Sequence, residues 1–281
     1  MLFFFSILYK ASIIEYSEIK STLQKGMNGT SIMIRFLPSI LHHKSCGKQC
    51  TPCFPETFSL LCWNVHKKNR TDPSFRTFLE KMMKKKDLYL CMLQEAEFRG
   101  DTFTIDDCAY DAAANLQIKD TFYGVLTACR TESRSAKAYL SDSQESLIGP
   151  HKSLLLSTYP LGCEKTLLVL NVHAINFREN SSYERELEIF AEKVRSHEGP
   201  MIVAGDFNAW NRKRMEALQK LQKELSLELV SFTEGDKVKS FMGYPLDFVL
   251  YRGLKCIGKE VISDHDISDH HPLLVRFKVL D

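Results

Sequence analysis

The sequence predicts an α/β protein, because short apolar segments alternate along the chain with longer segments of helical periodicity. The apolar segments have the length of strands and are bounded by glycine or polar residues. Two of the intervening segments, residues 74–86 and 183–196, place apolar side chains on one helix face and charged side chains on the other. This alternation is typical of sheets that are covered by helices.

The predicted elements follow one another in order from residue 58. The segments with the composition of strands are residues 58–63, 88–93, 123–127, 153–157, 166–172, 201–204, 247–251 and 273–279. The amphipathic segments are residues 74–86, 183–196 and 213–225. Residues 101–150 are polar and rich in turn residues, so we expect either a long loop or a pair of edge strands there.

The first part of the chain lacks sustained periodicity. We therefore expect an N-terminal extension of uncertain structure at residues 1–55 and one folded domain at residues 56–281. Cys46, Cys50 and Cys53 lie close together in the extension, after His42 and His43. Close spacing of cysteine and histidine can bind zinc, but this spacing is not a standard pair of pairs. An irregular surface segment is the favoured interpretation, and a zinc site is the alternative.

The composition is that of an ordinary globular protein, with 44% hydrophobic and 26% charged residues. A net charge of +2 supplies no global argument for a nucleic-acid or membrane partner. Of the nine cysteines, the six outside this cluster are scattered, mostly in apolar segments, which indicates buried thiols in a reducing compartment. We therefore predict a cytoplasmic monomer, with secretion as the alternative.

The apolar residues 1–9 are too few to cross a bilayer, which takes about 20 residues. They also lack the basic start and the small-residue cleavage site of a secretory signal. No transmembrane segment is predicted.

Polar side chains stand at the ends of several predicted strands. Asp206 and Asn208, for example, come directly after the apolar residues 200–204. Because functional side chains are often displayed where the chain leaves a sheet, we expect these polar residues to share one site. The candidates are Asn64, Glu95, His173, Asn176, Asp206, Asn208, Asp247, Asp269 and His270.

This combination of side chains suits the hydrolysis of a phosphoester. Two carboxylates can hold a hard cation such as Mg²⁺, which polarises a phosphoryl oxygen. An aspartate beside a water molecule can orient or deprotonate it, and histidines can donate hydrogen bonds to the charge that grows on the phosphoryl oxygens. Mg²⁺ is the expected ion from ligand type, and Mn²⁺ is compatible with the same ligands.

The ordered motifs resemble the endonuclease/exonuclease/phosphatase superfamily, which has the DNase I-like fold. The motifs are Trp63-Asn64, Leu93-Gln94-Glu95, His173, Gly205-Asp206-Phe207-Asn208 and Ser268-Asp269-His270. Residues 171–177, 204–210 and 245–254 are closer still to the YafD-type branch of bacteria. The resemblance covers about residues 57–279 and implies an α/β four-layer sandwich, with two packed mixed β-sheets flanked by helices. Residues 56–281 would then be the catalytic domain.

The resemblance also implies a role for each motif residue. Glu95 is the expected main metal ligand, with Asn64 and Asp269 near the metal. Asp206 is expected to activate the attacking water, assisted by Asn208. The phosphate-facing histidines would be His173 and His270, and Asp247 would orient the second of these.

Residues 263–265 repeat the Ser-Asp-His sequence of the last motif. Only the copy that ends at His270 is followed by the apolar closing strand, so that copy is the predicted one.

The substrate is less determined than the reaction. Basic and polar residues beside the motif loops can bind a polyanion, and the expected substrate-binding residues are Lys67, Asn176, Arg178 and Arg212. They favour a Mg²⁺-dependent phosphodiesterase that acts on nucleic acid. A phosphatase or phosphodiesterase for a lipid head group or another small phosphoester is the alternative. A non-catalytic binding module on the same fold is the second alternative.

Overall fold

Two large β-sheets form the centre of the computed structural model, which describes residues 34–46, 50–70, 72–99, 105, 108–144, 151–162, 165–176, 179–233, 237–263 and 265–280. The first sheet has seven strands, in the spatial order β1 (Ile34–Lys44), β4 (Ala109–Ile118), β5 (Thr121–Cys129), β3 (Leu88–Phe98), β2 (Thr57–Asn64), β15 (Leu273–Val279) and β14 (Leu254–Val261). The second has six, in the order β10 (Glu228–Leu229), β13 (Asp247–Arg252), β9 (Met201–Asp206), β8 (Lys165–His173), β7 (His151–Leu161) and β6 (Ser135–Gln144).

Both sheets are mixed, as the sequence predicted. Strands β2 and β3 are parallel in the first sheet, and β8 and β9 are parallel in the second. Their other strand pairs are antiparallel. A separate small hairpin consists of β11 (Ser240–Phe241) and β12 (Tyr244–Pro245).

Three α-helices lie within the described ranges: α1 (Pro73–Lys85), α2 (Asn180–Val194) and α3 (Arg212–Glu224). Helix α1 begins where the Asp72 carboxylate accepts a hydrogen bond from the Ser74 N–H at 2.9 Å, with a proline at its first position. Helix α3 begins at a similar cap, in which the Asn211 side chain accepts from the Arg214 N–H at 3.0 Å. None of these helices is long and apolar enough to cross a membrane.

The sheets pack face to face, and helices cover their outer faces. In β2, Leu60 packs between the two sheets whereas Leu61 packs against α1, because successive strand residues point to opposite faces. In β9, Ile202 lies between the sheets and Val203 contacts the core beneath α2 and α3. The strands read as continuous apolar segments because both faces are buried. The predicted four-layer sandwich is thereby confirmed.

The seven-stranded sheet contains a strand that the sequence did not predict. Strand β1 pairs with β4, and its register shifts between Phe36 and Ile40, around Pro38. Proline is tolerated at such an irregularity on an edge strand, but it breaks the alternation by which strands are recognised. Part of the predicted N-terminal extension thus belongs to the sheet, while the division at residue 55 stays a prediction.

Residues 101–150 also contain more strand than predicted. Strand β4 is interior, since β1 lies outside it, and β6 forms an edge of the second sheet. Strand β4 was missed because it reads Ala-Tyr-Asp-Ala-Ala-Ala-Asn, in which the small alanines carry little strand preference.

The cysteines divide into two groups. Cys62, Cys91, Cys108 and Cys129 are buried free thiols, as predicted, and Cys256 is half-buried. Cys46 and Cys50 form a disulfide that the sequence analysis did not predict, and Cys53 remains a free thiol. A disulfide leaves neither of its sulfurs as a thiolate ligand, so this arrangement does not favour the alternative zinc site. Cys163 lies outside the described residues.

Gly205 allows β8 and β9 to approach closely just before Asp206. Its φ is +147°, and a Cβ at this position would lie 1.9 Å from the Val172 carbonyl oxygen. We expect Gly205→Ala to lower the free energy of unfolding by about 3 kcal/mol, measured by urea denaturation. The matched control is Gly258→Ala, whose Cβ would meet only the Arg276 Cβ at 3.5 Å. Equal stability of the two variants would contradict this explanation.

Candidate active site

The predicted residues meet where the two parallel strand pairs end. Asn64 is the last residue of β2, and Glu95 lies beside it in β3. His173 and Asp206 are the last residues of β8 and β9 and are paired in register. Because parallel neighbours end at the same edge, each sheet supplies a pair of polar side chains to one place.

A β-bulge turns Glu95 toward this place. Leu93 pairs with Leu126 and Ala96 with Gly124, so β3 has one residue more than β5 between these pairs. Glu95 itself has a φ of +49°, which is uncommon for a residue other than glycine. The side chain of the adjacent Gln94 points between the sheets, and its Nε2 donates to the side-chain oxygen Oδ1 of Asn171 at 2.8 Å.

The Asn64 amide connects the carboxylates of the two sheets. Its Nδ2 donates to Glu95 Oε1 at 3.3 Å and to Asp206 Oδ2 at 3.1 Å. Its Oδ1 accepts from the His66 main-chain N–H at 3.1 Å. Both the nitrogen and the oxygen of the side-chain amide are therefore hydrogen-bonded, which fixes the orientation of the amide between the two acids.

Glu95 is ionised and His173 is neutral at pH 7. Burial by itself would raise the pKa of Glu95, but the His66 hydrogen bond and nearby positive charges outweigh it and hold this pKa well below its usual range. Burial lowers the pKa of His173 well below its usual range. The His173 Nε2 lies 3.7 Å from Glu95 Oε1 and 3.9 Å from Asp206 Oδ2, so the ring stands between the two carboxylates.

Asp206 is poised to exchange a proton near neutral pH. Burial and the charge of Asp247 raise its pKa to about 7, against the lowering effects of His270 and Asn64. Asp206 Oδ1 accepts the main-chain N–H of Asn208 at 3.0 Å. Together with the bond from Asn64, this contact orients both oxygens of the carboxylate.

His270 and Asp247 form a buried pair on the other side of Asp206. The His270 Nδ1 lies 2.8 Å from Asp247 Oδ2, and Asp247 pairs with Asp206 across β13 and β9. Burial would lower the pKa of His270, but the charge and hydrogen bond of Asp247 raise it to about 10. The ring is therefore an imidazolium at pH 7, with Nδ1 engaged by the carboxylate.

The closing motif is held against the end of β2. The Trp63 indole N–H donates to the His270 carbonyl oxygen at 2.8 Å, and the Ser268 hydroxyl donates to the Asn64 carbonyl oxygen at 2.8 Å. The histidine of the repeated motif, His265, instead packs edge-on against Trp63 at 5.0 Å between ring centroids. The structure thus brings His270, and not His265, to Asp247.

Four other predicted residues surround the site at different distances from its centre. The buried Asn208 has a φ of +50° and donates from Nδ2 to the Ala174 carbonyl oxygen at 3.1 Å. The Asn176 carbonyl oxygen accepts the Trp210 indole N–H at 3.3 Å. Lys67 is half-buried and donates its main-chain N–H to the Glu95 carbonyl oxygen at 2.9 Å. Asp269 lies at the rim, where its Oδ2 accepts from Lys239 Nζ at 2.6 Å.

Arg212 does not point to the centre of the site. Its side chain is 85% exposed and pairs with Glu216 one turn along α3, at 2.8 Å. This local pairing at the helix start could not be distinguished in sequence from a substrate contact. Arg178 lies outside the described residues.

Two basic residues that act on the site were not predicted from the sequence. His66 Nδ1 lies 3.5 Å from Glu95 Oε2, and this contact raises the pKa of His66. Lys152 is buried near Glu95 and His173 and acts on both by its charge. His66 stands two residues after Asn64 and could have been found by that spacing. Lys152 precedes a predicted strand, and a lysine at such a position is normally exposed on the surface of the protein.

The donor set fits a divalent cation. Glu95, Asp206 and Asp247 bring three buried or nearly buried carboxylates together, and hard cations prefer such oxygen ligands. Ligand atoms of Asp206, Asp247 and His270 all lie within 4.8 Å of one another. The buried Asp247 Oδ1 has no hydrogen-bond partner within the described part of the chain. A cation at Glu95 or at this second cluster would offset the concentrated negative charge.

We expect Asp247→Asn to lower the pKa of His270 from about 10 toward its ordinary value, because burial is then opposed only by the smaller effects of Asp206 and Asp269. The shift is measured by NMR titration of the histidine ring in metal-free protein. His43 in strand β1 serves as an internal reference, and the exposed Asp266→Asn is the matched variant. An unchanged titration of His270 would contradict the pairing.

Comparison with known proteins shows the family to which the chain belongs. A UPF0294 protein of Erwinia tasmaniensis is 34% identical over 252 residues, covering 87% of this chain and 90% of its own length. A UPF0294 protein of Photorhabdus laumondii is 37% identical over 237 residues, covering 81% and 86%. A solved structure from Beutenbergia cavernae, described as an endonuclease/exonuclease/phosphatase, superposes with a TM-score of 0.59 at 12% identity, over 80% of this chain and 72% of that one. Since the family model also matches residues 61–270, the chain belongs to the Endonuclease/Exonuclease/phosphatase family.

Proposed function

We propose that the protein is a divalent-metal-dependent phosphodiesterase that hydrolyses nucleic-acid phosphodiester bonds with an activated water. The observation that carries this proposal is the convergence of Glu95, Asp206 and Asp247 with one neutral and one cationic histidine. Such a set supplies a base, hydrogen-bond donors and ligands for a hard cation within one place. Family membership supports the phosphoesterase class, and the substrate is our inference.

Asp206 is the proposed base for the attacking water. A pKa of about 7 lets this carboxylate accept a proton near neutral pH, which is the range in which general bases work best. The bonds from Asn64 and the Asn208 N–H hold the carboxylate in place, so that one oxygen can face the water. The proton of the water passes to Asp206 as the new bond from oxygen to phosphorus forms, and the bond from phosphorus to the leaving oxygen breaks with its electron pair on that oxygen.

His270 and His173 are the proposed donors to the phosphoryl oxygens. Asp247 occupies Nδ1 of His270, which leaves the Nε2–H of the imidazolium for the substrate. His173 remains neutral and donates from one ring nitrogen. Preorganised donors of this kind stabilise the charge that develops in the transition state.

Glu95 is the proposed main metal ligand, with Asn64 and Asp269 nearby. A bound Mg²⁺ or Mn²⁺ would neutralise charge on the phosphoryl oxygens and on the leaving oxygen. The Asn64 bond at 3.3 Å and the His173 contact at 3.7 Å orient the Glu95 carboxylate. Asp269 would first have to exchange its contact with Lys239.

The lysines at the mouth of the site favour a polyanionic substrate. Lys67 acts by its charge on both Glu95 and His173, so it stands near the position of the reacting phosphate. Lys239 stands beside Asp269. Positive charge at these two positions would attract the phosphates that flank a scissile bond.

A phosphoester at a lipid surface is the second candidate, and one observation favours it. The hairpin of β11 and β12 presents Met242, which is 56% exposed, at its tip. The hairpin stands between Lys239, which contacts Asp269, and the strand that begins at Asp247. An exposed apolar tip beside the site can enter an interface.

The test is product release from a panel of phosphoesters with Mg²⁺, with Mn²⁺ and with EDTA. The panel contains supercoiled plasmid, a single-stranded oligonucleotide, a 5′-blocked oligonucleotide, sphingomyelin and phosphoinositide micelles, and bis-p-nitrophenyl phosphate. Cleavage of nucleic acid that EDTA stops supports the proposal. Activity confined to lipid, and lowered by Met242→Ser, supports the second candidate. Silence of the folded protein on the whole panel contradicts both and favours a binding module.

A further inference from the structure

We propose that Arg214 is a positioning residue, which holds Asn208 beside Asp206 by joining the two loops that follow β8 and β9. This inference rests on the proposed hydrolysis of a phosphodiester and assigns a role to a residue that does not touch the substrate. Arg214 is fully buried, and the burial of a charged side chain is costly unless its donors are satisfied. The contacts of the guanidinium group therefore indicate what the arginine achieves at this position.

One nitrogen of the guanidinium group binds both loops. The Arg214 Nη1 donates to the Ile175 carbonyl oxygen at 2.9 Å and to the Asn208 carbonyl oxygen at 2.9 Å. His173 and Asp206 are paired in register at the ends of β8 and β9, and each accepting residue stands two positions beyond one of them. Arg214 thus joins the two loops at equivalent positions, directly beyond two central residues of the site.

The contact with the second loop acts on Asp206 through Asn208. Asn208 has a φ of +50°, a sparsely populated conformation that the surroundings of the residue have to maintain. In this conformation its main-chain N–H bonds Asp206 Oδ1 at 3.0 Å, and its Nδ2 bonds the Ala174 carbonyl oxygen at 3.1 Å. If the Asn208 carbonyl oxygen were released, the loop could relax, and the Asp206 carboxylate would lose one of the two hydrogen bonds that orient it.

Two aromatic rings hold the guanidinium group in place. Its central carbon lies 4.5 Å from the centre of the Tyr183 ring of α2 and 4.8 Å from the centre of the Trp210 ring. A planar guanidinium group can stack on aromatic faces and donate hydrogen bonds in its own plane at the same time. The Trp210 indole N–H also donates to the Asn176 carbonyl oxygen at 3.3 Å, which ties this ring to the first loop. The donors of Arg214 are thereby aimed with little freedom.

The stability of α3 does not explain an arginine at this position. Arg214 lies in the first turn of the helix, where the helix dipole disfavours a cation. The Asn211 cap uses only the main-chain N–H of Arg214, so any residue except proline could complete it. An apolar side chain of similar length could fill the space between Tyr183 and Trp210 at a lower desolvation cost, but it could not donate to the two carbonyl oxygens. The donors are therefore what this position requires.

The test compares Arg214 with a second arginine that binds carbonyl oxygens away from the site. Arg252 is the last residue of β13, at the opposite end from Asp247, and donates to the carbonyl oxygens of Gly199 at 3.1 Å and Leu225 at 2.8 Å. Arg214→Met and Arg252→Met each remove such donors and keep an apolar side chain of similar length. Thermal denaturation should show a lowered Tm for both variants, so a loss of stability alone cannot distinguish them.

The first readout needs no substrate. Hydrogen exchange of the Asn208 main-chain amide is followed by NMR in metal-free protein labelled with ¹⁵N-asparagine. We expect Arg214→Met to accelerate this exchange at least about 10-fold, because the bond to Asp206 Oδ1 opens more often, and Arg214→Lys to restore part of the protection. Arg252→Met should exchange as wild type does. Unchanged exchange in Arg214→Met would overturn the proposal. If Arg214→Met does not fold, Arg214→Lys carries both readouts, with smaller changes in the same direction.

The second readout is the steady-state kinetics of the metal-loaded enzyme on the best substrate of the panel. We expect kcat of Arg214→Met to fall on the order of 10- to 100-fold with KM within about threefold, because a displaced group beside the reacting atoms affects the transition state more than binding. Arg214→Lys should recover part of the loss, and Arg252→Met should keep the wild-type kcat.

The two readouts separate the failure of this inference from the failure of the proposed function. Equal kcat values for Arg214→Met and Arg252→Met would overturn the positioning role while leaving the proposed function intact. Faster exchange of the Asn208 amide in Arg214→Met, together with no hydrolysis of any substrate by wild type, would keep the joining of the two loops and reject the proposed function.

Discussion

Replacing Asp206 by asparagine is expected to lower the rate of phosphodiester hydrolysis by on the order of 10³-fold, while the metal-free fold gains stability above pH 7. The loss of rate follows from the role of the carboxylate as the base, since an amide cannot accept the proton of the attacking water. The gain in stability follows from burial and from the charge of Asp247, both of which oppose ionisation of Asp206.

The sign of the stability effect follows from linkage. The pKa of Asp206 is raised in the folded protein to about 7, from an ordinary value of 3.8. Its contribution to stability is therefore fully present below about pH 4 and is lost as pH rises through 7. The side-chain amide in Asp206→Asn does not ionise, so the variant would avoid a loss of up to about 4 kcal/mol. The weakened contact with Asn64 reduces the net gain to about 2 kcal/mol.

The two effects are measured separately. Single-turnover hydrolysis with saturating metal gives the rate, and urea denaturation of metal-free protein at pH 5 and pH 8 gives the stability. The exposed Asp266→Asn is the matched control and should change neither quantity. A loss of rate below tenfold would remove Asp206 from the role of base. A stability difference that is the same at both pH values would contradict its raised pKa.

The convergence of the candidate residues could be predicted because they follow strongly apolar segments. Asn64, Glu95, His173 and Asp206 each stand at or near the end of a buried strand, and parallel pairing brings such ends together. The sequence does not show the bulge at Glu95 as such, since one extra residue in a strand leaves the apolar pattern almost unchanged.

The residues that were not predicted take their positions from contacts between segments that are distant in sequence. Lys152 looks like a surface lysine in sequence and is buried only because β4, β6 and β8 surround this end of β7. Strand β1 was not predicted because Pro38 interrupts the alternation of its side chains, and because the strand is defined by its pairing with β4, which is distant in sequence. Arg212 was assigned to the substrate from proximity along the chain, whereas a local pair with Glu216 directs it along α3.

Replacing Glu95 by glutamine is the second substitution with a large expected effect. The amide keeps the shape of the side chain and can still accept from Asn64 Nδ2, which now bonds Glu95 Oε1 at 3.3 Å. It loses the negative charge that a hard cation needs. We expect Mg²⁺ and Mn²⁺ affinity to fall at least about 100-fold and the rate by on the order of 10³-fold, equivalent to about 4 kcal/mol.

Metal affinity is measured directly by calorimetry with Mn²⁺, so that the result does not depend on a substrate. Glu132→Gln is the matched control, because this exposed glutamate contacts Ser45 at 3.0 Å and His43 at 3.2 Å, neither of which is a candidate site residue. It should bind Mn²⁺ as wild type does. The measurement is repeated with Asp247→Asn, which alters the second cluster of possible ligands.

The comparison of these variants decides between the two positions for the cation. Loss of Mn²⁺ affinity in Glu95→Gln with little change in Asp247→Asn places the metal at Glu95, where Asn64 and Asp269 stand nearby. The reverse result places it among Asp206, Asp247 and His270. In that case the imidazolium of His270 could not coexist with the bound ion, because a metal ligand must be unprotonated. Binding of Mn²⁺ would then release a proton, which calorimetry in buffers of different ionisation enthalpy detects.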